Sequence, residues 1–314
     1  MGETGNGVPL WGWIAFGASV LVLLAVDLRA HRGERGDSRG RAVAWTGIWI
    51  AAGLAFGGVV RAGLDGQRAE EYLAAYLIEK SLSLDNLFVF LVIFRSLGID
   101  RKYQRKVLFW GIFGAVVFRG LFIFLGSRAL EQWDWINYVF GAILIAAALR
   151  TLRKNPSEQQ SNRAVRWLGR HLPVTERLDG GRFITRENGR RVITPLLLAL
   201  LGLEASDVLF AIDSVPAAFS MTGNTFVVYS SNVFAILGLR ALYIVVAHGV
   251  ARMTYLHYGL ALVLGFAGVK IVLHDHLHIP PLLSVGIICA IIGASVGASL
   301  WRERRDADKG LLHM

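Results

Sequence analysis

The chain has 314 residues, 54% of them hydrophobic, a formal net charge of +10 and one cysteine. Apolar stretches of about 18 residues recur along it, the length a helix needs to cross a hydrocarbon core of roughly 30 Å, which excludes an ordinary soluble domain. The basic residues gather in the loops between those stretches, which argues against a nucleic-acid binder, and the lone Cys289 allows neither a disulfide framework nor a cysteine-rich metal site.

Nine spans are predicted in chain order: 10–28, 43–60, 72–94, 107–126, 136–149, 193–220, 230–248, 256–273 and 281–301. Their apolar runs are continuous rather than alternating, so strands are not expected in them. Residues 1–28 carry no Lys or Arg and no small-residue cleavage site follows them, so the first span is expected to be retained.

The loops set an orientation. Residues 29–41 hold five Arg, 95–106 five basic residues, 150–191 eleven, 249–255 Arg252, and the tail after Trp301 four. The alternate loops hold Arg61, Arg68 and Arg128. With nine spans every basic loop falls on one side, which places the N-terminus outside and the C-terminus in the cytoplasm. The expected organisation is one transmembrane transporter domain over 10–301, a basic cytoplasmic loop over 150–192, and a cytoplasmic tail over 302–314. Within the loop, 161–171 is expected to be a basic surface helix, and 182–193 a hairpin turning at Asn188-Gly189.

Two segments, 72–150 and 193–270, resemble one another. Glu79-x5-Asp85-Asn86 matches Asp207-x5-Asp213-Ser214; Arg119-Gly-Leu-Phe-Ile matches Arg240-Ala-Leu-Tyr-Ile; Tyr138 with Arg150 matches Tyr258 with Lys270. Three spans per unit give the units opposite topology, an inverted repeat of the kind that places transport sites near the bilayer midplane. The fold class expected is thus an all-α polytopic membrane protein with about nine transmembrane helices.

Glu79, Lys80, Asp85, Arg119, Glu204, Asp207, Asp213 and Arg240 all fall inside predicted spans. Each charge at the bilayer centre costs about 2.5–3.5 kcal/mol on insertion scales, so these groups must face an interior or one another. Ion pairing explains part of the set, and Arg119 and Arg240 are expected to serve as structural partners of acids. Five acids against three bases leave two negative charges, which one divalent cation or protonation would neutralise.

At 100° per residue Glu79, Ser83 and Asn86 share one helix face, as do Asp207 and Ser214. Asp85 and Asp213 lie about 100° round from those stripes, and a break at Pro216 would help to aim them inward. The candidate metal ligands are therefore Glu79, Asp85, Asn86, Glu204, Asp207, Asp213 and Ser214, oxygen donors suited to a hard cation. His274, His276 and His278, beside Asp275, read as a solvated outer loop, with capture of cations the alternative.

These motifs resemble the TerC family of membrane proteins. The similarity rests on Glu79-Lys-Ser-Leu-Ser-Leu-Asp-Asn-Leu-Phe-Val-Phe90, on Thr194-Pro-Leu with Glu204-Ala-Ser-Asp-Val-Leu-Phe-Ala-Ile-Asp-Ser-Val-Pro216, and on Ser231-Asn-Val-Phe-Ala-Ile-Leu-Gly-Leu-Arg-Ala-Leu-Tyr243. Arg41-Ala-Val-Ala-Trp-Thr-Gly-Ile-Trp49, Tyr255-Leu-His-Tyr-Gly-Leu and Gly268-Val-Lys270 also fit. The resemblance implies a multi-pass protein of the bacterial inner membrane, akin to LysE-type transporters. It also implies a link to tellurium resistance, and to relatives that export manganese.

The expectation is a secondary transporter that exports a divalent cation, Mn²⁺ first, with Ca²⁺ or another hard cation as the alternative. No phosphate-binding Gly-x4-Gly-Lys-Ser/Thr loop occurs, so coupling to protons is expected. The expected partners are the metal as substrate, protons and the lipid bilayer; no cofactor and no nucleic acid are expected. A scaffold for membrane assembly is the second class considered. An aspartyl protease built on Asp85 and Asp213 is disfavoured, because Gly-x-Gly-Asp is missing, and no enzymatic activity is expected.

Overall fold

The computed structural model describes residues 8–30, 39–133, 135–153, 170, 173–175, 178–187, 189–247, 255–273 and 279–311. The expected surface helix, except Arg170, and the three histidines from His274 to His278 lie outside the described residues. In chain order the elements are α1 (Leu10–Ala30), α2 (Arg39–Gly63), α3 (Gly66–Ser96), α4 (Arg101–Gln132), α5 (Ile136–Arg153), β1 (Ile184–Glu187) and β2 (Arg190–Ile193). They continue as α6 (Pro195–Phe219), α7 (Thr225–Ile236), α8 (Leu239–Ala247), α9 (Leu256–Val272) and α10 (Pro281–Leu311).

Local chemistry accounts for the helix starts. Asp65 caps α3 by accepting from the Arg68 amide (2.7 Å), and Asn224 caps α7 by accepting from Phe226 and Val227 N–H at 3.0 and 3.1 Å. Pro195 opens α6, where its missing N–H costs no hydrogen bond. The last helix runs past its apolar part into the tail, to Leu311.

Seven stretches are helical, long and apolar enough to cross a membrane, α7 and α8 together counting as one. Large apolar side chains line their outer surfaces: Trp11, Ile14 and Leu21 on α1, Leu121 and Phe124 on α4, Leu282 and Leu283 on α10. Water would not tolerate that much exposed hydrocarbon, whereas lipid does. The chain is an integral, multi-pass membrane protein.

The backbone breaks in a different place from the one expected. Pro216 lies inside α6, and the helix runs on through it to Phe219. A proline one turn from a helix end disturbs chiefly the hydrogen bond its own missing N–H would make. The break falls instead inside the predicted span 230–248, at Leu237-Gly238, between α7 and α8. Gly238 has φ +81°, and a Cβ there would lie 2.5 Å from Cβ of Trp49. The left-handed backbone and the close approach of α2 each require glycine.

Packing places α7 at the centre. Every residue of it except Tyr229 is buried, with α3, α4 and α2 against it. Helices α5 and α9 pack together and run antiparallel: Gly141 meets Gly268 and Val272, while Gly265 meets Ala148. A Cβ on Gly268 would lie 3.1 Å from Gly141 O, and one on Gly141 3.2 Å from Gly268 O, so two glycines set this approach.

Candidate functional site

Three helices bring charge into the interior. Glu79, Ser83 and Asn86 come from one face of α3, Arg119 from the middle of α4, and Glu204, Asp207 and Ser214 from α6. Arg119 is 1% exposed and Glu79 not at all, so neither keeps its hydration. Their compensation is direct. Arg119 Nη1 donates to Glu79 Oε2 at 2.6 Å. Its Nη2 donates to Asp207 Oδ1 at 2.9 Å, and Nε reaches both oxygens of that carboxylate at 3.2 Å. With the Asn86 amide set so that Nδ2 donates to Leu82 O, Asn86 Oδ1 accepts from Arg119 Nη2, both at 3.2 Å.

One guanidinium fork thus joins the first acid of each repeated motif, in a geometry that an ammonium group could not reproduce. Several oxygens remain unmatched. Glu79 Oε1, Glu204 Oε2, Ser83 Oγ and Ser214 Oγ are buried without a hydrogen-bond partner among the described residues. The Ser214 hydroxyl faces Glu79 but misses hydrogen-bond geometry. Glu204 sits near Asp207, its carboxylate in the gap left by Gly114 of α4, where any side chain would overlap it. Buried polar atoms are seldom left bare, and these four mark places where a ligand or a rearrangement can satisfy them.

Two further intramembrane cations have partners on other helices. Lys80 points from the far side of α3 to α7, donating to Ala235 O at 3.1 Å. That carbonyl belongs to the last turn before the break, where a cation is favoured by the helix dipole. Arg240, at the start of α8, meets Asp27 of α1 at 3.5 Å. Asp213 is half-buried on α6, and the side chain of Asp85 on α3 lies outside the described residues. No group of three or more His, Cys, Asp or Glu close enough to hold a metal occurs among the described residues. Arg119 gathers Glu79 and Asp207 into a pair, and Arg240 meets Asp27.

Asp27 and Gly114 are the residues that sequence reasoning passed over. Asp27 stands at the end of the first apolar run, two residues before Arg29, where an interfacial position is the natural reading; its partner lies 213 residues away. Gly114 carries no signal of its own, although a glycine in mid-span facing a neighbouring helix is a known means of close approach.

The model of the integral membrane protein TerC family matches residues 64–307, which include every charged residue of this cluster. The chain belongs to the TerC family. A relative in Myxococcus xanthus, "Uncharacterized membrane protein STKORF319", is 42% identical over 303 residues, covering 94% of this chain and 95% of that protein. "Putative membrane-bound redox modulator Alx" of Escherichia coli (strain K12) is 39% identical over 318 residues, 97% of this chain and 98% of the relative. An "Uncharacterized membrane protein" of Rickettsia bellii (strain RML369-C) is 35% identical over 294 residues, 93% and 97% of the two chains. No solved structure matches this TerC-family chain.

Proposed function

We propose that this protein is a secondary transporter of the bacterial inner membrane that exports divalent cations, Mn²⁺ first, in exchange for protons. Nine spans then cross the bilayer: the seven long apolar ones, α3 with its internal charges, and α9 with 17 residues. The basic loops lie in the cytoplasm, and the two three-helix units form an inverted repeat. The antiparallel packing of α5 against α9 is in keeping with that arrangement.

The observation that carries the reading is the charge balance around Arg119. Arg119 pairs with Glu79 and Asp207, Glu204 lies near Asp207, and three acids against one base, 3 − 1, leave two negative charges beside buried, unmatched oxygens. A hard divalent cation answers both the charge and the donor type. In this arrangement the guanidinium neutralises Glu79 and Asp207; a cation entering from the Glu204 side competes for the same carboxylates and displaces it. Arg119 then acts as an internal counter-ion as well as a brace. Near the start of α3, Glu71 accepts from Arg68 (2.8 Å) and from Thr222 in the α6–α7 turn (2.5 Å), tying the start of α3 to that turn.

Moving a divalent cation outward against an inside-negative potential costs ~4.6 kcal/mol per 100 mV, twice the value for one charge, so export must be coupled. Carboxylates that bind either metal or protons supply the coupling, and two inward protons balance one outward divalent charge. The name of the Escherichia coli relative speaks of redox modulation. With one cysteine, this chain has no internal thiol–disulfide couple to carry such a role, and metal transport accounts for the buried acids.

Proteoliposomes test this with Mn²⁺, Ca²⁺, Mg²⁺ and Zn²⁺ side by side. Mn²⁺ flux should be fastest and Zn²⁺ slowest, since zinc favours His and Cys ligands. Flux should accelerate when the opposite compartment is acidified. Asp85→Asn, Asp207→Asn and Asp213→Asn should each stop it while the protein still elutes as a folded species. Flux that ignores a pH gradient ends the antiport reading, and normal flux in all three variants removes the acids from the pathway.

A further inference from the structure

The β1–β2 hairpin is fastened to the two helices that meet at Arg119 and Asp207. Lys106 of α4 donates to Gly181 O at 2.9 Å and lies over the Phe183 ring at 4.8 Å. Gly181, with φ +82°, packs on the Tyr103 ring, which any side chain there would strike. From the start of α6, Thr194 donates through Oγ1 to Arg182 O (2.7 Å) and through its amide to Phe183 O (3.0 Å). The hairpin is part of the ends of α4 and α6, not a loose connection.

Its exposed face is unusual in charge. Alternate residues share a face, so Arg182, Ile184 and Arg186 point the same way, and in register Arg191 stands directly opposite Arg186. Like charges directly opposite destabilise an antiparallel pair. The three arginines, with Asp179, Ile184 and Thr185, line a cleft of about 540 Å³. The one acid in it is already engaged: Asp179 accepts from Thr185 Oγ1 (2.5 Å) and lies 3.8 Å from Arg182. No acid comes within ion-pair distance of Arg186 or Arg191 among the described residues.

We propose that this cleft binds a phosphate group, held by the forks of Arg186 and Arg191 with Arg182 as the third arm. Guanidinium forks match phosphate oxygens two at a time, and a shared anion turns the Arg186–Arg191 repulsion into a bridge. Ile184, 54% exposed beside them, adds an apolar contact for whatever carries the phosphate. Two sources share this chemistry: the headgroup of an anionic phospholipid, or a soluble phosphate compound. By the orientation proposed above the hairpin lies on the cytoplasmic side, where both are found.

The test uses the intact protein, in detergent with inorganic phosphate or ATP, and in nanodiscs of phosphatidylglycerol or of phosphatidylcholine alone. Amide hydrogen exchange over 182–193 is the readout. Slower exchange with phosphatidylglycerol alone identifies a lipid headgroup; slower exchange with phosphate or ATP in detergent identifies a soluble ligand. Half-maximal protection should need on the order of tenfold more ligand in Arg186→Gln and Arg191→Glu, the loss of one charged hydrogen-bonding partner. In phosphatidylcholine without added anion, Arg191→Glu should exchange more slowly than the native hairpin, because it places opposite charges across the ladder. These opposite signs separate binding from mere structural support. Exchange that no phosphate source changes, or that Arg191→Glu speeds in every condition, overturns the site.

Discussion

Arg119 and Arg240 occupy matching places in the two halves of the sequence, each followed by a small residue, leucine, an aromatic residue and isoleucine. Their surroundings differ. Arg119 lies in mid-helix and holds an acid from each half, with contacts of 2.6 and 2.9 Å. Arg240 follows a helix break and reaches outside the repeat to Asp27, at 3.5 Å. Both are buried, so both must be paired. The first joins the groups proposed to carry the cation; the second anchors α8 to α1. Matching positions in the two halves of the sequence thus stand in different surroundings.

Removing Arg119 should have the largest effect. Arg119→Ala leaves Glu79 and Asp207 buried without their partner, at a cost of about 3–5 kcal/mol, the usual range for breaking a buried pair from one side. Thermal unfolding in detergent measures it. Adding Glu79→Gln and Asp207→Asn to Arg119→Ala should recover a good part of that loss, since no bare anion then remains. Failure to recover any of it would mean that the guanidinium acts through packing.

Arg240→Ala should cost less, about 2 kcal/mol, because its contact with Asp27 is longer. The decisive measurement is a double-mutant cycle with Asp27→Asn, for which a coupling of about 0.5–3 kcal/mol is expected. The same cycle between Arg240 and Asp207 should give a value near zero. If transport by a folded Arg240→Ala protein is lost, the contrast between the two arginines fails, and Arg240 belongs to the pathway as well.

The smallest effect concerns the backbone beside Arg240. Gly238→Ala forces a side chain into a left-handed conformation, which costs about 1–2 kcal/mol, and pushes it toward Trp49. Unfolding midpoints should fall accordingly, and pairing Gly238→Ala with Trp49→Ala should relieve only the steric part. A stability unchanged by Gly238→Ala would show that the break between α7 and α8 can close.

What could be read from the chain alone is what repeats at short range. Helical periodicity put Glu79, Ser83 and Asn86 on one stripe and Asp207 with Ser214 on another, because 100° per residue holds wherever a helix forms. The cost of charge in hydrocarbon required those residues to turn inward and Arg119 to find an acid. The runs of apolar residues marked the membrane helices themselves, and the similarity of motifs placed the chain in its family.

Only the tertiary arrangement decided which groups meet. Nothing local distinguishes Asp27 from an interfacial acid, or tells Arg240 to cross 213 residues of sequence to reach it. Pro216 carried the stronger local signal for a break, yet α6 runs through it, while the chain opens at Gly238, where Trp49 of α2 leaves no room for a Cβ. Gly114 matters because Glu204 lies against it, and Lys80 donates to a carbonyl in the last turn of α7. A side chain's candidate partners follow from its own chemistry, but the choice among them depends on which helices stand side by side, and that is fixed by packing across the whole bundle.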